Sequence, residues 1–488
     1  MKKRISIIFY LVLLSGVLFL LISRCSKLDE KPTDFVGPDN FYSTPSQIES
    51  AFTASMDNLF GGWTFYDWYR YPQIFDMDDQ VYDGDLVIGD DLGNDCWSKH
   101  YQSIADLNPA IKAILDGKLT GESEDVKNQL MAQAKFLRAW NYFMLVRYYG
   151  DVPLITETTD LTKTDITRAP IADVYDLIVN DLLFATQNLP PVWSDEGKAR
   201  PTADAAKTLL AKVYITMATA PMNDASKYAN ARDMAKQVID AGNYSLVPNV
   251  EDVFKMDKEF GPEFMWSFHN SQEEYVIEPQ IWLPGAMANG WGDVKTEKRW
   301  GEAFPEEPRK YAYLMYSDVI FGTGTTYADW DGSTPYVRKY LYDSPDNLEK
   351  DVSYECMPII RYADALLLFA EAENMANGGP TQAACDAVNQ IINRATGGVA
   401  NAADPLLTTS MSKEDFDAAV IQQRNLELCF EYDRWFDIQR KRILDKVSDP
   451  DIALPNYSPD DYLLPIPQKD LRLNKNLTQN PGYTNPNQ

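Results

Sequence analysis

The 488-residue chain has only two histidines, His100 and His269, far apart in sequence. A histidine-rich metal site, or a nucleophile activated by histidine, therefore has little raw material. Cysteine is scarce too. There are five, none at CxxC spacing, and Cys96, Cys356, Cys385 and Cys429 make no disulfide framework. Basic residues are in deficit, 45 Lys and Arg against 72 Asp and Glu, for a formal charge of −27. A field of that sign repels phosphate backbones and anionic surfaces, so nucleic acid is excluded as a partner. The hydrophobic fraction of 45% is ordinary for a packed globular protein.

The chain opens Met1-Lys2-Lys3-Arg4 and then runs from Ile5 to Ile22 without a charge. A basic start followed by an apolar stretch is the form of a secretory signal. Cys25 follows, in Leu21-Ile22-Ser23-Arg24-Cys25-Ser26. This resembles the lipobox of bacterial lipoproteins, in which the Cys becomes the new N-terminus and carries lipid. Arg24 departs from the small residue usual at that position. Residues 1–24 are read as a signal peptide, Cys25 as the lipidation site, and 25–43 as a tether. The alternative is an uncleaved anchor helix, since the run approaches the length of a membrane span. Both readings put the remainder outside the cytoplasm.

Residues 44–488 read as one domain. Thr44-Pro45-Ser46-Gln47 is an N-terminal capping signature and starts a helix to Leu59. Helical periodicity returns at Trp97, as in Ile104, Leu107, Ile111 and Ile114, and continues in segments to about residue 244. Pro190-Pro191 interrupts it, and Gly242 ends a helix begun near Lys227. It resumes over 359–445, with Gly378-Gly379-Pro380 as a stop, Thr381 and Ser412 as caps, and one helix from Ser412 to roughly Leu444. Zones 60–96 and 245–358 are irregular, although Phe264-Met265-Trp266-Ser267-Phe268 reads as a short strand. Residues 446–488 read as a loop tail.

The helices come in pairs of similar length. Alanine recurs where helices would press together, at Ala134, Ala139, Ala206, Ala211 and Ala370. The fold class is therefore mostly α: a tetratricopeptide-like scaffold of helical pairs, an α–α superhelix, with irregular aromatic-rich loops. An irregular helical bundle is the alternative.

Six segments carry a more specific signal. They are Lys135-Phe136-Leu137-Arg138-Ala139-Trp140-Asn141-Tyr142-Phe143 with Val146-Arg147-Tyr148-Tyr149-Gly150-Asp151-Val152-Pro153; Val174-Tyr175 through Asp181-Leu182; and Arg200-Pro201-Thr202 leading to Lys212-Val213-Tyr214. Then come Arg361-Tyr362-Ala363-Asp364 with Glu371; Arg424-Asn425-Leu426-Glu427 with Glu431 and Arg434-Trp435-Phe436-Asp437; and Leu464-Pro465-Ile466-Pro467 with Gln479-Asn480-Pro481-Gly482-Tyr483. In this order they resemble the SusD/RagB family of outer-membrane lipoproteins. Asn425 departs from the second Arg often found there. The resemblance implies a tetratricopeptide scaffold carrying an irregular ligand-binding part. It also implies a partner, a SusC-like TonB-dependent outer-membrane barrel whose mouth this protein would cover. The ligand is usually an oligosaccharide, and a minority of the family binds peptides.

Phe136, Trp140, Tyr142 and Trp435 sit at helical spacing and read as core; Arg434 and Asp437 should pair with each other or with neighbouring helices. Eight of the 11 Trp fall in the irregular zones or at their edge: Trp63, Trp68, Trp97, Trp266, Trp282, Trp291, Trp300 and Trp330. Trp97 and Trp266 read as structural, one starting a helix and the other in the strand. Sugar rings present flat C–H faces that pack on Trp and Tyr, and their hydroxyls need fixed polar partners. Two stretches combine these: Trp63, Tyr66, Trp68, Asp78, Asp79 and Tyr82 in the first zone, and Trp282, Asn289, Trp291 and Trp300 in the second. Packing within loops is the competing role for each Trp. Clustered oxygens between Asp76 and Asp95 could hold Ca²⁺, but without EF-hand spacing a solvated acidic loop is preferred and no metal or cofactor is assigned.

The expected function is a cell-surface, outer-membrane glycan-binding lipoprotein, not an enzyme, that captures oligosaccharides and passes them to its barrel. A peptide-binding relative on the same scaffold is the alternative. A secreted glycoside hydrolase is the other, though no motif singles out a pair of carboxylates.

Overall fold

The computed structural model describes residues 41–60, 92–163, 165–193, 199–269, 279–292, 294–330, 332–431, 433–444 and 459–484. The segment expected as a signal sequence (1–24), Cys25, most of the expected tether (25–43) and residues 61–91 of the first irregular zone lie outside the described residues. Among those described, no helix is long and apolar enough to cross a membrane.

Six helices form the first part: α1 (Pro45–Phe60), α2 (Leu92–Leu115), α3 (Glu124–Tyr149), α4 (Ile171–Asn188), α5 (Ala203–Ala218) and α6 (Lys227–Ala241). Their ends follow local chemistry. Ser123 caps α3 by accepting the Val126 N–H, and Thr202 caps α5 through the Ala205 N–H. Gly242 adopts the left-handed conformation that closes α6. The Gln47 side chain accepts the Ser43 N–H, one residue outside the expected box with Thr44. Each helix packs on the next, and α6 packs on α10 (Tyr362–Asn377), which in turn holds α11 (Gln382–Ala395) and α12 (Lys413–Glu427). Ala134, Ala139, Ala206, Ala211 and Ala370 are all fully buried, so small side chains let the helix axes approach. The result is the mostly helical, tetratricopeptide-like superhelix expected from the pairing of helices. Phe136, Trp140, Tyr142 and Trp435 are in the core, as expected.

The second irregular zone lies between α6 and α10. It holds β1 (Phe264–Phe268), the short helices α7 (Lys298–Ala303), α8 (Pro308–Tyr313) and α9 (Pro345–Leu348), and strands β2 (Leu314–Met315), β3 (Tyr336–Val337) and β4 (Met357–Arg361). Strand β1 pairs antiparallel with β4, with Phe264 opposite Arg361 and Phe268 opposite Met357; β2 pairs with β3. Trp266 docks this zone on α3, meeting Phe136 and Trp140 edge-on at ring-centroid distances of 4.8 and 5.1 Å. Its burial, like that of Trp97, agrees with the structural role expected of both.

Two sequence expectations are corrected. The helix expected from Ser412 to Leu444 is two helices, α12 and α13 (Arg434–Lys441). At the break Phe430 takes a left-handed φ of 60°. The carbonyls of Glu427 and Cys429 accept the Lys339 ammonium at 3.0 and 2.7 Å, and that of Phe430 accepts the Tyr340 hydroxyl at 2.7 Å. Tertiary partners thus take over groups a continuous helix would have used. The tail is also more ordered than a loop. Helix α14 (Gln468–Leu473) forms after Pro467, and the segment bonds back to the end of α3. Leu464 N–H donates to Tyr148 O (2.7 Å), and the Asn480 amide donates to Tyr149 O (3.0 Å) and Leu464 O (2.7 Å).

The recurrent charged residues meet in buried networks. Arg361 binds Glu263, Glu427 and Glu431 at 2.6–2.7 Å, and Arg394 reaches Glu263 and Glu427. A second network joins Arg424 to Asp364 and Asp437, Lys212 to Asp364, and Arg440 to Glu371 and Asp437. Asp437 therefore pairs with neighbouring basic residues on α12 and α13. A third, Arg138 on Asp181 with Glu157 and Lys135, ties α3 to α4.

Candidate functional site

The second aromatic stretch forms a closed loop. Main-chain bonds run from Trp291 N–H to Gln280 O (2.6 Å), from Gly292 N–H to Leu283 O (3.0 Å) and from Val294 N–H to Ile281 O (3.0 Å). The Gln280 amide donates to Leu348 O at 3.1 Å and fixes the base of the loop. Gly290 sits where a Cβ would lie 2.3 Å from the Leu283 carbonyl oxygen, so no other residue fits without moving the main chain.

This geometry separates residues that the sequence treats alike. Trp282 is 2% exposed and packs on Tyr340 at a centroid distance of 4.8 Å. Its expected role as a stacking surface is corrected: the ring is a buried plug that anchors the loop. Trp291 is 43% exposed at the other side of the loop. Asn289 beside it is exposed, in a left-handed conformation with φ of 58°. Trp300 is intermediate. Its helix α7 is capped by Glu297, whose carboxylate accepts the Arg299 and Trp300 N–H groups. The indole is half-buried against Phe304 and Phe430, at 5.3 and 6.1 Å between ring centroids. Trp330 is buried against Tyr336. Trp63, Tyr66, Trp68, Asp78, Asp79 and Tyr82 lie outside the described residues, as does most of the acidic stretch considered for Ca²⁺.

Tyrosines overlooked by the sequence reading border α7. Tyr311, 47% exposed, meets Tyr316 edge-on at 5.7 Å, and Tyr316 meets Tyr327 at 5.8 Å. The Tyr316 hydroxyl donates to the Gly301 carbonyl, joining this row to the helix that carries Trp300. Tryptophan density had drawn attention in the sequence; the density of Tyr between 311 and 327 was the signal available for this row.

Chemically, the described part offers aromatic faces and an exposed amide on a braced loop. Among the described residues no group of three or more His, Cys, Asp or Glu is placed to hold a metal ion. Burial pushes both histidines down to about 4, against a hydrogen bond to Asn141 that acts the other way at His100. Both imidazoles are neutral at physiological pH.

Comparison with known proteins agrees with this architecture. A sequence model described as "SusD family" matches residues 241–483, and one described as "Starch-binding associating with outer membrane" matches 41–215. "SusD-like protein P2" of Formosa agariphila is 26% identical over 520 residues, covering 96% of this chain and 98% of its own. A crystal structure of a SusD superfamily protein from Parabacteroides distasonis superposes with a TM-score of 0.74 at 27% identity, covering 89% of this chain and 99% of that one. A laminarin-binding SusD-like protein superposes with a TM-score of 0.73 at 21% identity, covering 90% of this chain and 99% of that one, which is a likeness of fold. Two family models that together take in most of the described chain, and relatives aligned nearly end to end, establish that this chain belongs to the SusD/RagB family.

Proposed function

We propose that this protein is a surface glycan-binding lipoprotein, anchored through Cys25, that captures oligosaccharides without cleaving them and delivers them to a SusC-like TonB-dependent barrel. The observation that carries the reading is the loop closed between Gln280 and Val294. It buries Trp282 as an anchor and so holds Trp291 and Asn289 at the surface before any ligand arrives. Preorganisation of this kind spares the entropy of ordering a loop on binding. Trp300 and the row Tyr311, Tyr316 and Tyr327 extend the aromatic surface available to a chain of sugar rings. Residues Trp63, Tyr66, Trp68, Asp78, Asp79 and Tyr82 are proposed as further ligand contacts. The laminarin-binding protein of the same fold supports a glycan as the ligand class. The charge of −27 favours neutral glycans over uronate or sulfated ones.

The test is native gel electrophoresis through neutral and acidic polysaccharides, laminarin and starch among the former. Retardation in a neutral gel, lost in Trp291→Ala, is expected. Release of reducing ends would contradict binding without catalysis. Calorimetric binding of a peptide panel with no retardation in any gel would transfer the site to peptides.

A further inference from the structure

Helix α8 carries the exposed Tyr311 on its outer side and is fastened on its inner side by charge. Arg309 of α8 is fully buried, and its guanidinium meets three carboxylates: Glu307 at 2.7 Å, Asp404 at 3.0 Å and Glu427 at 3.3 Å. Glu427 is also bound by Arg361 and Arg394, and these two share Glu263. Arg361 and Lys339 share Glu431. Among the described residues this connected set holds five buried carboxylates and four buried cations, so one negative charge is in excess.

The excess falls at the α8 end. Glu263, Glu427 and Glu431 each touch at least two of the cations, whereas Glu307 and Asp404 have Arg309 alone between them. Both Asp404 oxygens are satisfied, one by Arg309 and the other by the Gln423 amide of α12. Glu307 gives one oxygen to Arg309; its other, Oε2, is buried and meets no donor. A charged oxygen deprived of both water and a donor is unfavourable in a protein interior, and a proton placed on it removes the charge. Burial raises the Glu307 carboxyl most, Arg309 opposes it and the Asp404 charge adds to it, which leaves it at about 7. The other charged groups around α8 are paired elsewhere. Glu251 binds Lys255 and Arg338, Asp252 binds Lys255, and Glu306 binds Lys310. The Tyr313 hydroxyl donates to Glu427 at 2.7 Å.

We propose that Glu307 and Asp404 share one proton at neutral pH and act as a positioning pair, a latch that holds α8 and its Tyr311 ring against α12 and the chain at Asp404. The proton sits on Glu307 Oε2 and is donated to the Asp404 carboxylate. In mild alkali it leaves to water. Two anions then face one guanidinium, and the start of α8 moves outward until water reaches Glu307. The use of the latch rests on the glycan reading given above, in which Tyr311 extends the aromatic surface.

Glu307→Gln keeps the shape of the protonated acid and cannot ionise; Asp404→Asn removes the acceptor's charge. Infrared difference spectra of the wild type should show a protonated-carboxyl band that is lost as pH rises through about 7, and both variants should lack it. The folded protein holds this proton above the unfolded value near ~4.3, so wild-type stability relative to Glu307→Gln falls as pH rises from there to about 7 and is constant beyond. Amide exchange over residues 308–316 should be about threefold faster in the wild type than in Glu307→Gln at about pH 8.5, and equal at about pH 6. Retardation in the neutral gel should weaken about threefold in the wild type between those two pH values, the share of one aromatic contact, and hold in Glu307→Gln. A wild-type band that does not titrate between about pH 5 and 9, or exchange that rises equally in both proteins, overturns the latch. Titration and exchange as expected, with retardation independent of pH, overturn its role at the ligand face and leave the glycan reading standing. No retardation at any pH ends the glycan reading, while the spectra and the exchange still decide the latch.

Discussion

Trp282 and Trp291 are nine positions apart in one loop, yet they do opposite work. Trp282 is enclosed by Tyr340, so Trp282→Ala should cost about 3–5 kcal/mol of stability, read as a lower urea midpoint. Trp291→Ala removes a surface ring. Its melting curve should stay close to that of the wild type, while glycan affinity falls about tenfold, corresponding to about 1.4 kcal/mol. Equal loss of stability in the two variants would refute the division. Gly290→Ala is the third member of the series. The added Cβ meets the Leu283 carbonyl, so the loop must open, with about 1–3 kcal/mol lost and glycan retardation weakened although no aromatic ring has been removed. The sequence marked these residues as a group and could not rank them. What distinguishes Trp282 is Tyr340, far along the chain, and no local pattern reports that contact. Asn289 and Trp291 stand at the surface through turn chemistry around Gly290 and Gly292, which is local.

At the scale of elements, what was legible followed the same division. Caps at Thr381 and Ser412, with stops at Gly242 and Gly378, act within a turn of helix, and the helices begin and end beside them. The break after Glu427 was not legible, because its causes are Lys339 and Tyr340 in another part of the fold. The tail is the other such case. Its Asn480 amide bridges Tyr149 O and Leu464 O and accepts from Arg168 at 2.5 Å. Asn480→Leu keeps the bulk and strands these partners. We expect a loss of about 2–3 kcal/mol and, under limited proteolysis, early cleavage between residues 462 and 484. A tail as resistant as that of the wild type would show that these bonds do not hold it.

The whole molecule is strongly acidic outside and cross-linked by charge inside. Glu427 shows how the two combine. Burial alone would raise its pKa, but Arg394, Arg361, Arg309 and Lys339 hold it well below the usual carboxylate range. In the unfolded chain the same group titrates near ~4.3. Its contribution is therefore complete above that value and is lost as pH falls towards the depressed folded value. Glu427→Gln should cost about 3–5 kcal/mol at pH 7, because three arginines lose a buried partner, and the difference from wild type should shrink below about pH 4. A difference independent of pH would contradict this. His100 works at milder acidity. Burial lowers it to about 4 from an unfolded value near ~6.5, so its contribution is full above ~6.5 and declines as pH drops towards 4.

The bonds between the tail and α3 also bear on the order of events in folding. The carbonyls of Tyr148 and Tyr149 end a helix made early in synthesis, and their partners, Leu464 and Asn480, arrive more than three hundred residues later. The Arg147 guanidinium beside them, stacked between Phe143 and Phe436, likewise waits for α13. A chain closed in this way stays incomplete, with buried charge and carbonyls still wet, until the segment around Asn480 has emerged. That delay would suit the export proposed above, in which the chain crosses a membrane as a thread before it takes its shape.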